Sequence, residues 1–88
     1  MATLIHQLST PLRFADTVYT AQVWGEPRDD GLWHGWIEFV PSDSGPVLST
    51  GQETSQGNLD ALTYWARGLE LVYLEGAFAR AVDNRRAA

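Results

Sequence analysis

Residues 58–82 read NLDALTYWARGLELVYLEGAFARAV, and the apolar positions in that run decide the fold. Leu59, Leu62, Trp65, Ala66, Leu69, Val72, Tyr73 and Ala77 recur at three- and four-residue steps, the period of a helix with one buried stripe. From Leu71 a second stripe begins, comprising Leu71, Leu74, Phe78 and Val82. It lies on the opposite side of an ideal helix that turns ~100° per residue. One straight helix on one core cannot hide both stripes. Gly68 stands just before the switch, and glycine costs ~1 kcal/mol in a helix interior. The spacing therefore predicts one long bent helix or two helices over 58–84, with the change of direction at residues 68–70 and dependent on the freedom of Gly68. The second stripe is the expected association surface. It makes Leu71, Leu74, Phe78 and Val82 candidate partner-binding residues and a homodimer the expected state, with Gly76, Ala77 and Ala81 small enough for a second backbone to approach.

Upstream of the helical run the period changes to two. Residues 17–26 are rich in β-branched and aromatic side chains (Thr17, Val18, Tyr19, Thr20, Val23, Trp24), the residue types that suit a pleated surface. They end at Pro27-Arg28-Asp29-Asp30-Gly31, a cluster of turn formers. Residues 32–40 make a second strand, stopped by Pro41-Ser42-Asp43-Ser44-Gly45-Pro46, and 47–53 a third. The expected architecture is α+β in a single domain spanning 1–88: a three-stranded antiparallel meander over 17–53, then the helical part, in the order β-β-β-α(α). In residues 1–16 the apolar Leu4, Ile5, Leu8, Leu12 and Phe14 are interrupted by Ser9-Thr10-Pro11, so a partly ordered arm is expected, with room for a short edge strand at its end.

Alternation sorts the strand faces. Tyr19, Ala21 and Val23 share a side with Trp33, Ile37 and Phe39. The other side shows Val18, Thr20, Gln22 and Trp24 beside Leu32, His34, Trp36, Glu38 and Val40. A solvent-facing sheet surface ordinarily reads polar. This one carries two tryptophans and a histidine, which makes Trp24, His34 and Trp36 candidate partner-binding residues. The bland alternative is a second core layer, and residues 4–14 are the segment with the apolar side chains to provide it.

Composition bounds the function. With 44% apolar residues, four Trp, three Tyr and three Phe, the chain can bury a core and is not disordered by composition. It has no Cys, which excludes disulfides, thiol catalysis and thiolate metal sites. All six cations are Arg, which reads as codon bias and excludes Schiff-base lysine chemistry. Residues 1–60 set Arg13 and Arg28 against eight acids, a net −6, whereas residues 61–88 carry a net +1. An acidic strand region repels phosphate backbones, so nucleic-acid binding is not expected there. Residues 1–10 show no secretory signal and no stretch has the length of a membrane span, so a soluble, cytoplasmic protein is expected.

No catalytic constellation emerges. His34 and Glu38 sit at same-face strand spacing, but a metal site needs three or four protein ligands and the other histidine, His6, lies in the arm. Asp29-Asp30 reads as turn capping. Glu53-Thr54-Ser55 offers an acid and hydroxyls but reads as the cap of the following helix. The glycines match neither a phosphate loop nor a dinucleotide fingerprint. No catalytic, metal or cofactor residue is expected. The favoured reading is a non-catalytic protein-binding or assembly module that self-associates. A small-molecule-binding or enzymatic domain with a pocket formed in the oligomer is the alternative. Single-stranded RNA binding through the sheet aromatics is the third reading.

The order from residue 18 to residue 80 also resembles a known family. A Gly31-marked hairpin, a strand ending at Pro41, a third strand with Gly51-Gln52-Glu53-Thr54 and a helix opening Asn58-Leu59-Asp60-Ala61-Leu62 resemble the N-terminal domain of HicB-like antitoxins. That resemblance implies a small bacterial protein with a partial double-stranded-RNA-binding fold, one that binds a toxin partner and self-associates. No helix-turn-helix or ribbon-helix-helix module follows Val82, so it implies no operator binding here.

Overall fold

The computed structural model describes residues 1–87. Its centre is a pair of long antiparallel strands, β3 (Thr17–Pro27) and β4 (Trp33–Pro41), in register from Tyr19↔Pro41 to Pro27↔Trp33. The hairpin between them closes where the Arg28 N–H donates to the Leu32 carbonyl at 2.7 Å and Asp30 Oδ1 accepts from the Leu32 N–H at 3.0 Å. Gly31 supplies the φ of +87° that the turn requires. Asp30 is thus a turn cap.

Each central strand carries an outer row, and each row is one strand broken in the middle. On β3 lie β1 (Thr3–Gln7) and β2 (Leu12–Phe14). On β4 lie β5 (Leu48–Ser49) and β6 (Thr54–Gln56). The sheet therefore has six strands in four antiparallel rows, more than the three-stranded meander expected. The N-terminal residues are more regular than the partly ordered arm expected: β2 is the short strand allowed for at its end, β1 pairs along β3 as well, and the chain returns through a two-residue turn at Ala15 and Asp16, both at positive φ. Proline at position 11 breaks pairing without ending the row, because the chain steps around residues 9–11 and resumes beside Tyr19. Of the third strand expected over 47–53, Leu48–Ser49 pairs with β4; the row is then interrupted at residues 50–53 and resumes at Thr54–Gln56.

Two helices close one side of the sheet. Helix α1 (Leu59–Arg67) starts at Asn58, whose side-chain oxygen accepts from the Ala61 N–H at 2.8 Å, and ends at Gly68. Helix α2 (Leu71–Ala87) begins three residues later. The break over residues 68–70 resolves the two stripes. Because the chain changes direction there, Ala66 of α1 and Leu74, Ala77 and Ala81 of α2 reach the same core, while Leu62 of α1 is buried beside it against Gly25 and Gly35. That core includes Ala21, Val23, Ile37 and Phe39, all fully buried by the period-two alternation of β3 and β4.

This corrects the association surface read from the helix. Leu74 is 2% exposed, and Phe78 and Val82 pack against the core. The Phe78 ring stacks on Phe14 at 4.3 Å and meets Tyr19 at 5.1 Å and Phe39 at 5.3 Å edge-on. Burial of Leu74 contributes ~1.5–3 kcal/mol, and the partly buried Phe78 and Val82 contribute less than a full burial would. Of the four stripe residues, Leu71 stays outside, at 57% exposure, next to Val72 at 73%. The premise for a helix-mediated homodimer, an apolar stripe left uncovered, is not met.

Candidate functional site

The even-numbered side of β3 and β4 is the face that the helices do not cover. On it three cross-strand rows follow one another: Gln22 beside Glu38, Trp24 beside Trp36, and Glu26 beside His34. The N-terminal residues do not lie over it; β1 extends the sheet sideways instead, with Leu4 opposite Trp24 and Gln7 opposite Gln22. Trp24 and Trp36 are half-buried among their neighbours, and no second layer covers this face among the described residues.

Hydrogen bonds hold both indoles in place. Trp24 Nε1–H donates to Gln22 Oε1 at 3.0 Å, and Gln22 Nε2–H donates to Gln7 Oε1 at 2.9 Å. Trp36 Nε1–H donates to Glu38 Oε2 at 3.0 Å. Both rings therefore lean toward the same row, with their polar edges satisfied and little rotamer freedom left to lose on binding. The His34 ring lies 5.5 Å from Trp36, tilted by 41°. Glu38 serves the indole of Trp36, so the His34–Glu38 acid–base or metal pairing suggested by strand spacing is not formed. Among the described residues no group of three His, Asp or Glu could hold a metal ion.

His34 also stands between two clefts. One, of about 270 Å³, runs from His34 and Trp36 to residues 49–52. The other, of about 490 Å³, lies at the hairpin end among Glu26, Asp29, Asp30 and His34. The first exists because the outer row is interrupted. Thr50 turns inward, its N–H donating to the Ile37 carbonyl at 2.9 Å while its Oγ1 accepts from the Ile37 N–H at 3.0 Å. The Glu53 N–H then donates to the Gly35 carbonyl at 2.8 Å, and Gly51 and Gln52 bow outward as a wall beside Trp36. At about 270 Å³ this recess is smaller than the ~300–1,000 Å³ of small-molecule pockets.

Glu53 has a different role from the helix cap read from the sequence. Its side chain is 7% exposed and accepts from Tyr73 Oη–H at 2.6 Å and from Arg80 at 2.7 and 2.9 Å. Burial alone would raise its pKa, but the hydrogen bonds from Arg80 and Tyr73 outweigh that and hold the carboxyl below its ordinary value. Burial, together with the bond to Glu53, pushes the Tyr73 hydroxyl up to about 12. The Arg80 guanidinium also lies over the Tyr73 ring, 5.4 Å from its centroid. With all its partners supplied from α2, this carboxylate is a latch between the outer row and the helix. Ser49 adds a second tie, its carbonyl accepting from Asn84 Nδ2–H at 2.9 Å.

Of the residues singled out in the sequence, Trp24, His34 and Trp36 come together on one surface, while Leu74, Phe78 and Val82 go into the core and Leu71 stays apart from both. The contributions of Gln7, Gln22 and Glu26 were not anticipated. Gln22 and Glu26 are signalled by their even positions on β3; Gln7 is not, since its strand is interrupted. No helix among the described residues is long and apolar enough to cross a membrane. No protein-family model matches the chain, and no curated protein or solved structure is significantly similar to it.

Proposed function

We propose that this chain is a non-catalytic protein-binding module that docks its partner on the uncovered sheet face around Trp24 and Trp36. The observation that carries this reading is the asymmetry of the sheet. One side is buried beneath two helices, while the other presents two cross-strand indoles fixed by hydrogen bonds and no layer of its own. Fixed aromatic anchors bordered by polar groups are the usual makings of a binding hot spot. The strand and helix order over residues 18–80 supports kinship with HicB-like antitoxin domains, and with it a partial double-stranded-RNA-binding fold and a toxin-like partner. The added outer row and second helix extend that pattern. A second copy of the chain is one candidate partner, through this face and not through α2.

Affinity capture after cross-linking in native cells tests the reading. The wild type is expected to retain a partner that a Trp24→Ala/Trp36→Ala variant loses while keeping its far-ultraviolet circular dichroism. Retention of the same partner by the folded variant would overturn it.

A further inference from the structure

We infer that the occupant of this face is an extended, cationic protein segment. The inference rests on the reading of the face as a docking surface and adds the chemistry of what docks there. Two carboxylates bracket the tryptophan pair: Glu26 one row above it on β3 and Glu38 one row below it on β4. Residues two apart on a strand face are separated by roughly 7 Å, so the two acidic rows lie roughly 14 Å apart. An extended peptide has the same repeat, and its side chains i, i+2 and i+4 share one face. Arginine or lysine at i and i+4 would meet the two acids while i+2 rests on the indoles.

The charges support this choice of occupant. Residues 1–60 carry a net −6, which favours approach of a cationic chain and disfavours a phosphate backbone. Trp36 occupies Glu38 Oε2, which leaves Oε1 to accept from the incoming segment, and Glu26 Oε2, with the exposed N-terminal ammonium of Met1 3.8 Å away, already sits beside a cation that the segment would replace. With their N–H groups already bonded to Gln22 and Glu38, the indoles have no donor left for a partner, and what they can contribute is π surface, over which a guanidinium settles. The recess between Trp36 and residues 49–52 gives one long side chain a place to lie.

The experiment is a titration of the full chain, labelled with 15N, with nona-arginine and with length-matched neutral and acidic peptides. Nona-arginine is expected to shift the indole N–H resonances of Trp24 and Trp36 and to weaken as salt is raised. Trp24→Ala/Trp36→Ala should weaken it about tenfold. Glu26→Gln/Glu38→Gln keeps an oxygen for the Trp36 N–H, so the rings stay in place, and it should weaken binding severalfold. Equal affinity in the carboxamide variant, or equal binding of the neutral peptide, would overturn the cationic assignment while leaving the face a docking surface. Shifts spread over the acidic surface without the indoles would overturn it, as would indole shifts produced by an oligouridylate instead. If nona-arginine moves nothing, the inference fails, and the docking reading still stands or falls on the capture experiment.

Discussion

Gly25 and Gly35 stand directly opposite one another on β3 and β4, and the Leu62 side chain fills the space their missing side chains leave. A Cβ built on Gly35 would lie 2.8 Å from Leu62 Cδ1, and one built on Gly25 would overlap Leu62 Cδ2. Two small residues thus let α1 settle on the sheet. Gly35→Ala is expected to lose ~1–3 kcal/mol through overpacking, and Leu62→Ala ~2–5 kcal/mol through the cavity it leaves. The double variant should be less unstable than the sum, because each change relieves the other. Urea midpoints measure all three, and strict additivity would contradict the contact.

The latch around Glu53 gives stability a pH dependence at both ends. The folded-state pKa of Glu53 is depressed, so its contribution is present above its ordinary value of 4.5 and disappears as pH falls through the lower folded value. Tyr73 is raised from 10.0 to about 12, so the fold holds that proton more tightly than the unfolded chain. Its contribution is complete below pH 10 and is lost between there and 12. Tyr73→Phe should cost ~1–2 kcal/mol at neutral pH and flatten the alkaline limb of a stability profile. An unchanged limb would show that Tyr73 does not meet Glu53 in solution.

Phe78→Glu separates a core role from an interface role. Placing a carboxylate against Phe14, Tyr19 and Phe39 is expected to cost ~4 kcal/mol or more and to abolish cooperative unfolding. Leu71→Glu, on the exposed side of α2, should stay within ~0.5 kcal/mol of the wild type. A Phe78→Glu chain that melts like the wild type would contradict the packing described.

Thr50 holds the interrupted row to β4 through its hydroxyl. Thr50→Val keeps the shape but leaves the buried Ile37 N–H without its acceptor, at a cost of ~1–3 kcal/mol. Thr50→Ser should recover most of that. Amide exchange at Ile37 is the direct reading: it should accelerate in the valine variant and not in the serine one.

Gly68→Ala reverses an expectation. The stripe switch located the break correctly, and from it the glycine's freedom looks essential. Gly68 has φ −89° and ψ 1°, a conformation open to alanine, and an added Cβ would meet the nearest atoms at 3.7 Å, ordinary contact. Alanine should therefore be neutral or add ~0.4–1 kcal/mol by restricting the unfolded chain. Thermal unfolding decides it, and a clear loss would mean that the link between α1 and α2 needs glycine after all.

Legibility in the sequence followed element length. Strands β3 and β4 are long enough for alternation to sort their faces, which puts Trp24 and Trp36 on one side; that this side lacks a second layer depends on the path of residues 4–14, which alternation does not give. The outer rows come in pieces of five residues or fewer, too short for a period to register, and Pro11 argues locally against a strand that the neighbouring backbone nevertheless pairs. The fate of Phe78 was hidden for another reason: a stripe's burial depends on where the helix points after residues 68–70. Glu53 was misread because its partners, Tyr73 and Arg80, are 20 and 27 residues away. The mid-strand glycines 25 and 35 were a usable sign of close backbone approach.

The two broken outer rows also bear on how this chain avoids sticking to copies of itself. Sheet margins offer unpaired backbone groups that template pairing with other chains, and proteins often guard them with lysine. This chain has none. Its margins are guarded by irregularity: neither presents more than five consecutive paired residues before the backbone turns aside at residues 9–11 or 50–53. Repairing either interruption, by deleting residues or restoring a continuous strand, would create a long flat margin and an aggregation hazard.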